Sequence, residues 1–305
     1  MNAATSLRIS FFIGISVICW AFAFPLIHLI VFVEQDLSPI NLTILRLFVA
    51  CIAFLILVFA KRKTVSPLQK KDVPAIFVLG FGGIVLYHLG LNYGEQFVSP
   101  SIASLIIATI PVFTVIFALV FLRERLTIKK TCGIALSFLG VAIIALLGSP
   151  NTVLHITYLG GLFGVLVAAI VGALYTIGGK KLLPRYSGFS LTAYAVLLGS
   201  IGLLPFVNTS LIIQIQTLSL TSSIAVLFLG LLSTVIAYSL WYIVLEEKTA
   251  SDLSVYVYSI PVLSTVISYF LLGHLITIFF VIGGILIIIG LRLVNVKKRK
   301  RLRVS

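Results

Sequence analysis

Apolar residues in this chain are grouped in long runs. Ten runs approach the length that crosses the hydrocarbon core of a bilayer, at residues 11–33, 39–60, 73–94, 100–122, 131–147, 157–179, 189–207, 220–244, 254–273 and 276–294. Lipid cannot satisfy free backbone polar groups, and the runs lack the short alternating pattern of barrel strands, so each run is predicted to be a helix. The predicted fold class is therefore an all-α integral membrane protein with ten transmembrane helices.

The second half of the chain repeats the pattern of the first. Shifted by 150 positions, residues 101–140 overlay residues 251–290, and Pro111 aligns with Pro261. This spacing is long for a solenoid unit and fits a duplicated bundle of about five helices.

A turn-forming cluster at residues 148–151 separates the two copies. Residues 1–150 and 151–305 are therefore predicted to be two repeats. We expect them to form one integrated transport domain, because each copy alone would lack the partner that buries its inward face.

Composition and charge agree with a membrane protein and orient it. Hydrophobic residues make up 60% of the chain and charged residues 10%, and the mean hydropathy is +1.22. If the N-terminus is cytoplasmic, every Lys and Arg of the loops and the tail falls on the cytoplasmic side, and only Arg46 lies within a span. Both termini are thus predicted to be cytoplasmic, and the second repeat is inverted relative to the first.

The formal net charge of +14 does not indicate a nucleic-acid partner. The basic tail at residues 297–303 is predicted to rest on anionic lipid. The predicted partners are a small-molecule substrate and the lipid bilayer, with a monomer or homodimer as the assembly. The predicted location is the cytoplasmic (inner) membrane, as a multi-pass protein.

Several residues together resemble a known family. They are Trp20-Ala21-Phe22 in the first helix, Arg46 in the second, Pro111 in the fourth, the segment Leu122-Arg-Glu-Arg-Leu-Thr that follows it, and Gly133 and Gly140 in the fifth. With the antiparallel repeat of five plus five helices, this pattern resembles the EamA-type members of the drug/metabolite transporter superfamily, over nearly the whole chain.

In that family a small residue and a glutamate usually close the fourth and ninth helices. Here Arg123 and Glu124 occupy the first position and Gly273 and His274 the second, so each copy keeps one of the two residues. The resemblance implies a transporter of amino acids, other metabolites or toxic compounds, frequently in the export direction.

Arg46 is the one charged side chain predicted to lie inside a span. A buried charge is costly and indicates a functional site by default. Its guanidinium is predicted to bind a substrate carboxylate or phosphate. The alternative is a structural tether to backbone carbonyls or to Glu95, its most plausible protein partner at the outer end of the third helix, or snorkelling to the interface.

Pro111 and Pro261 occupy equivalent mid-span positions in the fourth and ninth helices, where each removes a backbone donor. These prolines are predicted to break the helices and to take part in gating. Thr109 and Ser259 precede them by two residues and are predicted to contact the substrate near the midplane. The alternative is a packing kink in which both hydroxyls bond to their own helices.

Other polar and aromatic residues on neighbouring helices are predicted to line a cavity that stacks a planar or amphipathic solute. His88 and Asn92 share one face of the third helix because they are four residues apart. Any one of these side chains also suits a helix core or an interfacial belt. The remaining candidates are Trp20, Phe24, His28, Tyr175, Tyr238, Trp241 and Tyr258.

Energy coupling leaves more alternatives open. No Asp or Glu is predicted to lie deep in a span, because Glu34, Asp36 and Glu95 fall at the outer ends. If protons drive transport, His28 or His88 is the predicted carrier, although either suits a neutral, satisfied histidine. Facilitated diffusion, solute exchange and a response to membrane potential remain open.

No cofactor, metal site or catalytic residue is predicted. The cysteines Cys19, Cys51 and Cys132 are odd in number and fall in or beside spans, so they indicate neither a disulfide framework nor a metal cluster. The chain also lacks HExxH, GxSxG and a phosphate-binding glycine loop.

The predicted function is secondary transport of small organic metabolites, amino-acid-like or related amphipathic solutes, in the export direction across the cytoplasmic membrane by alternating access. The alternatives are a flippase for lipids or lipid carriers, which shares the fold, and a membrane-embedded lipid-modifying enzyme. The missing catalytic motifs disfavour the enzyme.

Overall fold

The computed structural model describes residues 3–147, 156–273 and 278–295. The predicted boundary at 148–151, His274 and the basic tail at 297–303 lie outside the described residues. Regular structure within these residues is helical throughout, which confirms the predicted all-α class.

Long helices, labelled α1 to α10 in chain order, account for most of the described residues. Helix α1 is Ala3–His28 and continues through a π-helical turn at Leu29–Val33. The others are α2 Pro39–Ala60, α3 Lys70–Gly94, α4 Pro100–Phe121, α5 Ile128–Leu147, α6 Ile156–Leu182, α7 Gly188–Phe206, α8 Leu220–Glu247, α9 Ala250–Leu272 and α10 Ile278–Asn295. A short helix, Thr209–Gln216, precedes α8.

Eight of these helices are long and apolar enough to cross a membrane, judged over the described residues by length and composition. Helices α5 and α10 are the two outside this set. The count of ten spans and the cytoplasmic position of both termini therefore stay predictions.

Hydroxyl side chains cap the N-termini of α2, α7, α8 and α9. The oxygen of the residue before each helix accepts a hydrogen bond from the backbone N–H three positions on, at 3.1–3.3 Å. Such a cap satisfies one of the free donors at a helix start. The capping residues are Ser38, Ser187, Ser219 and Thr249.

Four of the helices contain irregular segments that correspond to each other through the repeat, as two pairs. Helix α4 is interrupted between Ile107 and Ile110, just before Pro111. Helix α9 tightens into a 3₁₀ turn at Val255–Tyr258, just before Pro261. Both prolines therefore sit near the start of the second helical segment, where a missing N–H costs little.

The second irregular pair is α3 and α8. Helix α3 contains a π-helical segment at Phe81–Leu86, and α8 contains one at Leu229–Ile236. Moving the first segment by the 150-residue repeat places it inside the second. A π segment inserts one extra residue into a turn, and such segments are frequent at functional sites.

Glycines bring α5 and α10 into close antiparallel contact. A Cβ added at Gly133 would lie 2.7 Å from the backbone oxygen of Gly290, and one at Gly140 would lie 2.5 Å from that of Gly283. Residue numbers thus rise along one helix as they fall along the other. Since Gly133 is equivalent to Gly283 and Gly140 to Gly290, equivalent helices meet in opposite directions, as an inverted repeat requires.

The two halves interlock around the centre of the bundle. Helix α1 packs against α8 and α9, and its counterpart α6 packs against α3 and α4. Likewise α2 packs against α8, and α7 against α3. Each half therefore contributes helices to a central space that neither half encloses alone.

Candidate functional site

A cavity lies where α1, α2, α3, α4, α6, α8 and α9 meet, and residues of both halves line it. Its volume is about 60 Å³, enough for a few water molecules. Seven of the predicted substrate-binding residues line it: Trp20, Phe24, Arg46, His88, Tyr175, Tyr238 and Trp241.

Arg46 is buried in the cavity wall, with 1% of its surface exposed. Its Nε donates a hydrogen bond to Thr234 Oγ1 at 2.9 Å, and its Nη2 donates one to Ser233 Oγ at 3.1 Å. Its Nη1 has no hydrogen-bond partner among the described residues. The expectation that Glu95 pairs with Arg46 is wrong, because the guanidinium is held by two neutral hydroxyls of α8 instead.

The π-helical segment of α8 explains how these hydroxyls reach Arg46. Thr234 Oγ1 donates to the backbone oxygen of Leu229, five residues earlier, at 2.8 Å. Carbonyls of this segment and of the residue that follows it accept hydrogen bonds from α1: Trp20 Nε1 donates to Ser233 O at 3.1 Å, and Ser16 Oγ donates to Ala237 O at 3.0 Å. Irregular backbone here is therefore satisfied by side chains from the other half of the protein.

Tyr238 is the centre of the aromatic wall. Its ring meets Trp20 edge to face at a centroid distance of 5.2 Å, Tyr175 at 5.8 Å and His88 at 6.0 Å. Trp241 adds a contact with Trp20 at 4.9 Å. Edge-to-face packing of this kind joins α1, α3, α6 and α8 and leaves ring surface facing the cavity.

A buried polar line runs from the cavity along α3. His88 lines the cavity, and Asn92, one turn on, donates to Thr43 Oγ1 at 2.9 Å. Glu95 follows the last residue of α3 and is fully buried. The sequence correctly places Glu95 at the end of this helix, and the packing of α6 over that end buries it.

The comparison with known proteins follows from this architecture. A sequence model of the EamA-like transporter family matches residues 7–146 and again residues 159–296. The chain belongs to the EamA-like transporter family. It is a membrane transporter with apolar transmembrane helices, and the resemblance inferred from the sequence is confirmed.

Relatives of this EamA-like transporter cover nearly the whole chain. An uncharacterized transporter of Archaeoglobus fulgidus is 36% identical over 287 residues, which are 94% of this chain and 98% of that protein. A probable terminal-alkyne amino-acid exporter of Streptantibioticus cattleyicolor is 32% identical over 281 residues, 92% of this chain and 91% of that protein. One solved crystal structure has the same fold, with a TM-score of 0.70 at 18% identity, covering 92% of this chain and 96% of that one.

Five predicted contact residues of this EamA-like transporter lie outside the cavity lining: His28, Asn92, Thr109, Tyr258 and Ser259. Thr109 Oγ1 donates to Ile106 O at 2.6 Å, so its hydroxyl bonds to its own helix, and Thr109 borders an apolar groove against α5. The ring of His28 stacks on Phe32 at 4.7 Å.

Tyr258 and Ser259 are placed by the break in α9. Tyr258 is fully buried and packs with Val115 of α4 and Ile287 of α10, away from the cavity. Ser259 is half-buried at the start of the second segment of α9. The 3₁₀ turn rotates both residues away from the face that carries Ser254 and Val257 into the cavity wall.

The structure explains why a small residue suits the position before the family's glutamate. Arg123 and its repeat counterpart Gly273 both have left-handed backbone, with φ of 53° and 69°. Glycine adopts this conformation without strain, whereas arginine does not. Glu124 then accepts hydrogen bonds from the backbone N–H groups of Ala250 and Ser251, at 2.9 and 3.3 Å, and so caps α9.

The sequence reasoning missed several residues of the site, among them Gly83, Tyr87 and Ser233 of the cavity lining and Thr234, which holds Arg46. A signal existed for two of them, since Ser233 and Thr234 form a hydroxyl pair within a long apolar run. Gly83, the counterpart of Ser233, allows close approach, because a Cβ there would lie 2.3 Å from Tyr175 Cβ.

Proposed function

We propose that this EamA-like transporter exports small amino-acid-like or related amphipathic solutes across the cytoplasmic membrane by alternating access. The observation that carries the proposal is Arg46, a buried cation in the cavity wall with one nitrogen, Nη1, lacking a hydrogen-bond partner among the described residues. A guanidinium binds a carboxylate well in such a dry setting. The rings of Tyr238 and Trp241 offer surface for an apolar side chain.

Alternating access is supported by contacts between the halves at both ends of the bundle. At the predicted outer end, Ser219 Oγ donates to Asp36 Oδ2 at 2.6 Å, and Asn41 Nδ2 donates to Gln214 Oε1 at 2.7 Å. These contacts are polar and local, so one end is able to separate while the other end stays closed.

At the predicted inner end, Arg8 pairs with Glu247 and Lys130 pairs with Asp252. A cavity of about 60 Å³ holds a few waters, so a larger solute requires the lining helices to separate. Rocking of the inverted halves provides that separation.

The export direction and the substrate class gain support from one relative. A protein described as a probable terminal-alkyne amino-acid exporter shares 32% identity over 92% of this chain. Carrying that description over is part of the proposal. An amino acid also suits a cavity with a single buried cation and an aromatic wall.

The test is transport by the purified protein in proteoliposomes. Vesicles loaded with radiolabelled L-phenylalanine, L-leucine or L-glutamate are diluted, and efflux is compared with that from protein-free vesicles and from vesicles with the Arg46→Ala variant. We expect efflux of the apolar amino acids that depends on Arg46. Translocation of fluorescent phospholipid without amino-acid flux would contradict the proposal and favour a flippase.

A further inference from the structure

Glu95 is a buried acid that has no role in binding or moving the solute in the proposed function. Glu95 is fully buried, and neither Oε1 nor Oε2 has a hydrogen-bond partner among the described residues. Its backbone oxygen lies 3.3 Å from Nδ1 of His28. A buried carboxyl without partners is costly in its ionised form, so the site favours a protonated acid.

Glu95 lies at one end of a line of unpartnered polar atoms. His88, Asn92 and Glu95 are spaced four and three residues apart, so they share one side of α3 and the turn that follows it. Both ring nitrogens of His88 and Oδ1 of Asn92 also lack hydrogen-bond partners among the described residues. Since His88 lines the cavity, the line joins Glu95 to the solute site.

A glycine contact between α3 and α6 seals this line at the predicted outer end. A Cβ added at Gly90 would lie 2.5 Å from the backbone oxygen of Gly164, and one at Gly94 would lie 2.2 Å from Val165 and 2.9 Å from the backbone oxygen of Gly161. Backbones this close exclude water. The corresponding contact in the other half is looser, because a Cβ at Gly14, the counterpart of Gly164, would meet nothing within 4 Å.

The ionisable groups that face this stretch come from four helices. Arg46 approaches from α2, His28 from α1 and Tyr238 from α8, and Tyr87 and His88 belong to α3 itself. The residues that α6 brings to the contact, Gly161, Gly164 and Val165, carry no titratable group. Burial raises the pKa of Glu95 well above its ordinary value, and the charge of Arg46 opposes this shift without cancelling it.

We propose that Glu95 is a proton-binding site that couples solute export to the proton gradient, a role that rests on the proposed function. When the contact between α3 and α6 opens, the Glu95 carboxylate takes a proton from outer water and forms an O–H bond. Once the halves have rocked, that bond breaks and the proton leaves through the cavity to inner water; the solute then binds from the inner side and is carried outward by the return movement. One proton is bound and one is released, with no redox change.

The first test needs no substrate. Infrared titration of the reconstituted protein follows the C=O stretch of protonated carboxyl groups as the pH rises. We expect a band that persists above the titration of exposed acids, survives in Glu34→Gln and is missing in Glu95→Gln. Glu34 is a matched control, an exposed acid at the same predicted end of the bundle. A spectrum unchanged by Glu95→Gln overturns the proposal.

The second test separates coupling from transport, with L-phenylalanine as the probe. Exchange of labelled for unlabelled probe needs no net proton movement, whereas accumulation driven by an imposed pH gradient does. We expect Glu95→Gln, which mimics the protonated acid, to keep exchange and to lose accumulation by about tenfold or more. The Glu34→Gln control should keep both.

Two results of the second test overturn the proposal. If the Glu95→Gln variant still accumulates the probe, Glu95 carries no coupling proton. If the variant loses exchange as well as accumulation, Glu95 has a structural or substrate-binding role instead. If the wild type exchanges none of the amino acids tested, the proposed function fails, and the infrared titration still decides whether Glu95 binds a proton.

Discussion

Ser137 donates a hydrogen bond from its Oγ to the backbone oxygen of Ile287 at 3.3 Å. The two residues are 150 positions apart and are therefore counterparts in the repeat. Equivalent positions touch each other only where a symmetry axis passes between the copies. The contact between α5 and α10 thus marks the pseudo-twofold axis that relates the two halves.

The first prediction concerns this axis. Gly140→Ala should lower the free energy of unfolding by about 1–3 kcal/mol, because its Cβ would lie 2.5 Å from the backbone oxygen of Gly283, which has little room to move. Gly284→Ala is the matched control, since its nearest contact would be Val262 at 4.0 Å. Thermal unfolding in detergent checks both variants. Equal melting temperatures for the two would contradict the packing described.

The second prediction concerns Arg46. Arg46→Ala should reduce export of L-phenylalanine by about tenfold or more, since a charge-assisted hydrogen bond contributes about 1.5–3 kcal/mol. Arg46→Lys should restore only part of the flux, because a single ammonium nitrogen lacks the planar fork of donors with which the guanidinium holds Ser233 and Thr234 and still presents Nη1.

The control for Arg46 is its counterpart in the second half. Val196 is fully buried and apolar, so Val196→Ala tests for a packing loss in α7 without removing charge. Flux is measured in proteoliposomes after size-exclusion chromatography has shown that each variant is folded. Wild-type flux from a folded Arg46→Ala protein would make Arg46 structural.

The third prediction separates two neighbouring tyrosines. Tyr242 OH donates to the backbone oxygen of Tyr175 at 2.8 Å, so Tyr242→Phe should cost about 0.5–1.5 kcal/mol of stability. Tyr175 OH has no hydrogen-bond partner among the described residues, so Tyr175→Phe should leave stability unchanged. Because Tyr175 lines the cavity, its change should instead weaken binding of L-phenylalanine by roughly two- to tenfold. Thermal unfolding with and without the amino acid measures both effects. A loss of stability in Tyr175→Phe together with a loss of binding in Tyr242→Phe would contradict these roles.

The fourth prediction is a pH dependence at the predicted outer end. Partial burial alone raises the pKa of Asp36, but hydrogen bonds from Ser219 and Ser222 outweigh it and hold the pKa below its ordinary value. A carboxyl whose pKa is lower in the folded state stabilises the fold at pH values above its pKa in the unfolded state. This stabilisation is lost as the pH falls through the pKa of the folded state.

Asp36→Asn should therefore lower the melting temperature near neutral pH and should match the wild type in strong acid. Glu34→Gln changes an exposed acid two residues earlier and is expected to follow the wild type at every pH. A difference between Asp36→Asn and the wild type that grows toward acid would show the opposite sign of linkage.

The fifth prediction tests the orientation of the bundle. In a variant whose three cysteines are changed to alanine, Glu34→Cys should react with a membrane-impermeant maleimide from outside intact cells, and Lys63→Cys should react only in inverted vesicles. Both positions are exposed to solvent in the structure. Labelling of Lys63→Cys from outside would reverse the topology on which the export direction depends.

The helical class and the family were predictable from the chain alone. Long apolar runs indicate that each segment prefers lipid to water, and the matching prolines and glycines indicate a duplication. These are local properties of the residues, so they can be recognised without knowledge of any tertiary contact. The same reasoning correctly predicted that Trp20, Arg46, His88 and Tyr238 face one another, although their role in binding stays a prediction.

The assembled bundle decided three features of the site that the sequence could not give: the partners of Arg46, the burial of Glu95, and the exclusion of Thr109 and Tyr258 from the cavity. Each reflects how far a helix is rotated when it meets its neighbours, and the π turns of α3 and α8 and the 3₁₀ turn of α9 change that rotation without a clear local signature. Apolar patterning states which residues avoid water. Only the packing of one half against the other decides which polar atoms meet and which are left for a solute or a proton.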